Sequence, residues 1–364
     1  MSVTSEQSEL TVLSESDYRI VEHVAREKLT KFQPSDSNDD TVLLLESFLD
    51  HLDGDGQLNL SQDIASCSND DQLRQHARSL VDCVLLPMKA QGGKTPGPSM
   101  TISPRLGVEE SLENLASMLD EPASRTGQAC LKAKCLERDG NRCCISGFTD
   151  KKKSNDPNDI VVSTECAHII PFSLGSWKNS REEQAIAKIW VSLNRCFPVL
   201  QSLGFTHETI SDPQNAITMD SSFHIHFGTF DMALEAMPNQ PNTYTAKSYI
   251  RLPYYIKPII TFTDNGTGTN LPRPELLWLH ATIARILHLT GKGDQLDKIL
   301  RDKESTRDLA SDGSTDLSRI LSATTLRTLS SQPIVGEGAQ GTSGDKRIIP
   351  IRRQPVDKKK ENVQ

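Results

Sequence analysis

The chain has 364 residues, of which 36% are hydrophobic, 5% aromatic and 24% charged; that length gives a prior of about two domains, and the lean apolar content leaves room for linker or tail. No run approaches the roughly 18–20 apolar residues of a membrane span, which excludes a membrane partner. The opening MSVTSEQSELTVLSESDYRI is polar and acidic, unlike a secretory signal, so the eight cysteines are read as reduced thiols.

In chain order, residues 1–92 are predicted to be an acidic helical region. TVLLLESFLDHL and DDQLRQHARSLVDCVLLPMKA place apolar residues at helical spacing, with Pro87 expected to interrupt the second helix. Between them, HLDGDGQLNLSQ sets Asp53, Asp55 and Gly56 at EF-hand positions, but His51 and Gln62 stand where the strongest oxygen donors belong. Calcium needs six to eight oxygens, so a glycine-rich turn between helices is expected instead. Residues 93–122 read as a Gly/Pro/Ser-rich linker followed by a short amphipathic helix at 108–120. From 123 to 265 the pattern is mixed: β-rich runs (IVVST, YIRLPYY, KPIITFT) alternate with helical stretches such as REEQAIAKIWVSLNRCF. Residues 266–310 form a helical extension, PELLWLHATIARILHLTG, that should stop at Gly291. Residues 311–364 are poor in aromatics and are expected to be a disordered basic tail.

Charge is uneven along the chain. The total is 40 basic against 48 acidic side chains, a net of −8. Residues 1–92 hold 7 basic and 17 acidic groups, a net of −10, whereas residues 125–153 hold 8 and 3, a net of +5, including Lys151, Lys152 and Lys153. Phosphate contact depends on local potential, so the middle stretch permits nucleic-acid binding, while the acidic helical region is a possible protein contact. In the tail, Lys346-Arg347 and Lys358-Lys359-Lys360 have the spacing of a bipartite nuclear import signal, which places the protein in the nucleus, with the cytoplasm as the alternative.

Three segments carry the chemistry. They are Arg138-Asp139-Gly140-Asn141-Arg142-Cys143-Cys144-Ile145-Ser146-Gly147, then Glu165-Cys166-Ala167-His168-Ile169-Ile170-Pro171, then Asn215-Ala216-Ile217-Thr218-Met219-Asp220 running on to Phe223-His224-Ile225-His226. Their order and spacing resemble the HNH endonuclease family. The helical lead-in ending SLVDCVLLPMKAQGG also resembles that of fungal proteins carrying this domain. The resemblance implies an α+β fold, a ββα-metal (HNH) domain flanked by the helical N-terminal subdomain, the C-terminal helix and the tail. It implies a hydrolase that cuts DNA, or alternatively RNA, with one Mg²⁺ or Mn²⁺. By it, His168 is the general base at a strand end, Asn215 orients the site through its amide, and His224 in the first turn of a helix is a metal ligand. His226, two residues on, points about 200° around that helix and away from the same metal.

Two departures qualify the resemblance. Many family members carry an Asp or His immediately before the first histidine, where this chain has Ala167; Glu165, on the same strand face, is the substitute ligand expected. Four cysteines staple the site in some members with zinc, and the matching positions here are Cys143, Ser146, Asp220 and Phe223, so no structural zinc is expected. Arg138, Arg142, Lys151, Lys152 and Lys153 are the expected nucleic-acid contacts, whereas Met219, Phe227 and Phe230 read as core. The alternative to an enzyme is a catalytically inactive module of the same shape that binds nucleic acid or a protein.

Overall fold

Apolar residues spaced for one helical face wind the first part of the chain into α1 (Glu15–Lys31), α2 (Thr41–His51), α3 (Gly54–Ser66) and α4 (Asp70–Leu80). The computed structural model describes residues 15–304 apart from 90–100, 117–118, 120–121, 123–126 and 253–254. The expected tail with its import signal, and the start of the expected linker, lie outside the described residues. The calcium-like loop is the turn between α2 and α3: Gly54 takes φ +47° and residues from there onward are already helical. Gly56 is needed for close packing, since a Cβ there would lie 2.1 Å from the Cys196 carbonyl oxygen.

Pro87 does not end the helix that precedes it. The chain widens into a π-helical turn over Val81–Leu85 and resumes as α5 (Leu86–Lys89), with the Leu86 N–H bonded to the Val81 carbonyl. A proline removes one donor and crowds the carbonyl four residues back, and the wider turn absorbs both defects. The short helix expected at 108–120 is α6 (Val108–Ala116).

The mixed region opens with α7 (Gln128–Arg138). Its end is a glycine-led cap: Gly140 and Asn141 take φ +67° and +57°, and the Asn141 N–H reaches back to the Leu136 carbonyl. Then follow β1 (Thr149–Asp150), parallel to β2 (Val161–Val162), and β3 (Thr164–His168), antiparallel to β4 (Ala216–Asp220). Between β3 and β4 run α8 (Ser180–Cys196) and the single turn α9 (Val199–Ser202). β4 leads directly into α10 (Ser221–Gly228). A three-stranded antiparallel sheet follows, β5 (Met232–Ala236), β6 (Thr243–Ser248) and β7 (Ile260–Thr261). No strand covers residues 249–252 of the β-rich run YIRLPYY; β6 ends just before it, where the Ser248 hydroxyl turns back onto the Ile250 carbonyl. The chain closes with α11 (Pro274–Leu289) and α12 (Lys292–Glu304), separated at Gly291 with φ +65°.

One continuous apolar core runs from α1 through the β3–β4 hairpin to α11 and α12. α11 packs on both α2 and β5, and α3 packs on α8, where Arg195 bonds Asp63 at 2.7 Å and Asn59 at 2.9 Å. The helices before and after the mixed region therefore pack on its α8 and β5, while α7 and α10 cover the β3–β4 pair. No helix among the described residues is long and apolar enough to cross a membrane.

Candidate active site

The register of the hairpin sets the site. β3 and β4 pair from Thr164↔Asp220 to His168↔Ala216, so Glu165 on β3 comes beside the start of the helix that β4 runs into. Asp220 starts that helix by accepting the N–H groups of Ser222 and Phe223, both at 3.0 Å. The first turn so fixed carries His224, whose Nδ1 lies 2.5 Å from Glu165 Oε2. Ser221 donates its hydroxyl to the other Glu165 oxygen at 3.0 Å. The pair stands at the surface, with side chains 44% and 37% exposed. The hydrogen bond from His224 leads the interactions that hold the Glu165 carboxyl below its usual range. Sequence reading missed Ser221; its position directly after a strand and before the histidine is the signal that marks it.

His168 closes the same strand. Burial, and secondarily the nearby His224, push its imidazole down to about 4, so the ring is neutral at pH 7. Its Nε2 is enclosed without a hydrogen-bond partner among the described residues, and the Phe172 ring packs against the imidazole at 5.9 Å between centroids. Ala167 is fully buried beside it, which leaves Glu165 as the carboxylate of this strand that reaches His224.

Asn215 is completely buried, and its amide faces backbone rather than the cleft. Oδ1 accepts the Ile170 N–H at 2.8 Å, while Nδ2 donates to the carbonyls of Ile170 and Ile210, both at 2.9 Å. Its own carbonyl accepts the Ile169 N–H at 2.9 Å. It thereby fixes the chain that leaves His168.

The expected nucleic-acid contacts divide. Arg142, Lys151, Lys152 and Lys153 are exposed. Arg138 is not available to a phosphate, which corrects the expectation from charge alone. It is 0% exposed and spends all five N–H donors internally: two on Asp139, and the others on the carbonyls of Pro213, Asn270 and Ala216. Asp139 also accepts the Thr218 N–H at 2.9 Å, so this ion pair ties the end of α7 to β4. His226 faces away from Glu165 and pairs with Asp231 at 2.9 Å.

The four positions that correspond to a zinc staple converge, but only Cys143 is a thiol. Its Sγ lies 3.5 Å from Asp220 Oδ2, and the Ser146 N–H points to it at 3.4 Å. All eight cysteines are free. Among the described residues, no group of three or more His, Cys, Asp or Glu side chains is placed to hold a metal ion. Glu165 and His224 do fit a hard cation that takes its remaining ligands from water and substrate phosphate, since they offer one carboxylate and one imidazole at the surface.

No curated protein and no solved structure matches the chain. Residues 143–235, from the turn at Cys143 through the hairpin and α10, match the family model described as HNH endonuclease, so over this stretch the chain is similar to an HNH domain.

Proposed function

We propose that the protein is a metal-assisted endonuclease that hydrolyses phosphodiester bonds of DNA, with RNA as the second substrate class. The observation that supports this best is the meeting of Glu165 and His224, far apart in sequence, at the start of the strand that ends in a neutral His168. A neutral imidazole accepts a proton from water, and Nδ1 is the nitrogen left for that role because Nε2 is enclosed. Asn215 holds the loop that aims it. Glu165 and His224 would hold one Mg²⁺ or Mn²⁺, which supplies charge neutralisation at the phosphoryl and leaving oxygens. Arg142 and Lys151–Lys153 supply positive potential along the approach. The tail signal at Lys346, Arg347 and Lys358–Lys360 supports a nuclear site of action.

A second reading, a binding module without catalysis, draws on Ala167 in place of a ligand and on a base whose depressed proton affinity weakens its driving force. Supercoiled plasmid and single-stranded substrates incubated with the wild type, His168→Ala and His224→Ala, in Mg²⁺ and in Mn²⁺, decide between them. The nuclease reading expects cleavage by the wild type and a loss of about 10²–10⁴-fold in His168→Ala. Equal or absent cleavage by all three proteins refutes it and leaves the binding module.

A further inference from the structure

We infer that the exposed ring of Tyr255 is a stacking platform for an unpaired nucleobase, with Arg142 and Lys257 receiving the phosphates beside it. The inference rests on the nucleic-acid reading above and narrows its substrate to single strands or locally unpaired segments.

Tyr255 is among the exposed large side chains of the described residues, 58% open. It is not loose: it stacks on Phe148 with centroids 6.1 Å apart and planes 24° from parallel. One face is thus backed by a second ring, and the outer face remains to be covered. A base laid on it extends the stack, gaining dispersion and apolar burial without any sequence-specific hydrogen bond.

The surroundings carry the charge such a ligand needs. Arg142 is exposed and donates to the Gly147 carbonyl at 3.1 Å, leaving most of its guanidinium donors unused among the described residues. The Lys257 stem crosses the same glycine, where a Cβ would lie 3.3 Å from its Cδ, and the Lys257 N–H is bonded to the Ile145 carbonyl at 2.9 Å. Gly147 has φ +78° and no side chain, so both cations can approach one turn. Between them lies a cavity of about 260 Å³ whose lining includes Gly140, Arg142, Gly147, Lys257, Thr263 and Asn265. Lys151, Lys152 and Lys153 extend the positive stretch just beyond Phe148.

This platform shares its scaffold with the candidate active site. The turn beneath the rings is bonded to β4 through Cys144 N–H and the Thr218 carbonyl, and Cys143 contacts Asp220, the cap of the helix bearing His224. A paired base in a duplex has both faces already stacked, so only an unpaired one presents a face to Tyr255.

The test uses the full chain in EDTA, where binding is read without cleavage, by fluorescence anisotropy with labelled oligo(dT), oligo(U) and a duplex of equal length. The single strands should bind more tightly than the duplex at equal salt. Tyr255→Ala should weaken single-strand binding about tenfold and leave duplex binding unchanged, while Tyr255→Phe should bind as the wild type. Tighter binding of oligo(U) than of oligo(dT) would support the platform with RNA as its source of unpaired bases. Duplex preference, or a Tyr255→Ala protein that binds single strands as the wild type does, overturns the inference. If the wild type shows the expected binding but cuts nothing in Mg²⁺ or Mn²⁺, the nuclease reading fails and the platform stands. If it cuts while Tyr255→Ala binds unchanged, the reverse holds.

Discussion

Arg138 and Glu165 are both charged residues of the motif-bearing stretch, yet one is wholly enclosed and the other stands 44% exposed. The enclosed side of the hairpin is a clamp built on three answered groups: Arg138 fills five donors, Asp139 takes the guanidinium and the Thr218 N–H, and Asn215 bonds Ile170 twice and Ile210 once. The open side keeps unfilled valence. Glu165 has lone pairs beyond His224 and Ser221, and the lysines of 151–153 face solvent. A group whose hydrogen bonds are complete can hold a site in place, while one with spare valence can take a ligand. The same short motif therefore divides into residues that build the site and residues that use it.

Breaking the clamp should cost most. Arg138→Met leaves the Asp139 carboxylate, whose side chain is 3% exposed, without its cation, and breaking a buried pair from one side costs about 3–5 kcal/mol. Chemical denaturation should show that loss, and Arg138→Lys should recover part of it by restoring charge without the five-donor fork. A smaller stability loss, about 2–3 kcal/mol, is expected for Asn215→Ala, which strands the Ile170 N–H and two buried carbonyls. That variant also sharpens the comparison: cleavage should fall with the loosened His168 loop, while oligonucleotide affinity in EDTA stays at the wild-type value. A parallel fall in both would mean that Asn215 touches the nucleic acid after all.

How far the sequence reveals this division depends on what each inference needs. Glu165 was legible because strand alternation places it on the face of Ala167 without reference to anything distant. His168, Asn215 and His224 were legible as a spaced set, yet the spacing is silent about which atoms the Asn215 amide meets, since Ile170 and Ile210 come near it only after folding. Arg138 was misread because residue type reports charge and not enclosure; its partners include Asn270, more than a hundred positions away. The π-turn before Pro87 was hidden for a related reason. A proline forbids the regular bond pattern, but packing of the surrounding apolar residues, all buried from Val84 to Met88, decides whether the helix stops or widens. Tyr255 lay inside a run read for its β-propensity, and the ring stack with Phe148 is a tertiary contact that periodicity does not encode.

The smallest effect on the fold, and the clearest mark of the open side, should come from replacing Lys151, Lys152 and Lys153 together by Ala. All three are exposed and follow directly on β1, where substitutions usually change stability by no more than about 0.5 kcal/mol each. If each lysine neutralises one phosphate, removing them should lower the slope of log K against log salt by about 2–3 for a duplex and slightly less for a single strand. Affinity should fall by the same factor on every sequence, because phosphate contacts carry no base information. An unchanged salt slope would move these lysines off the binding path and leave Arg142 and Lys257 as the cations of the open side. A change in thermal stability as large as that of Arg138→Met would show instead that they belong to the clamp.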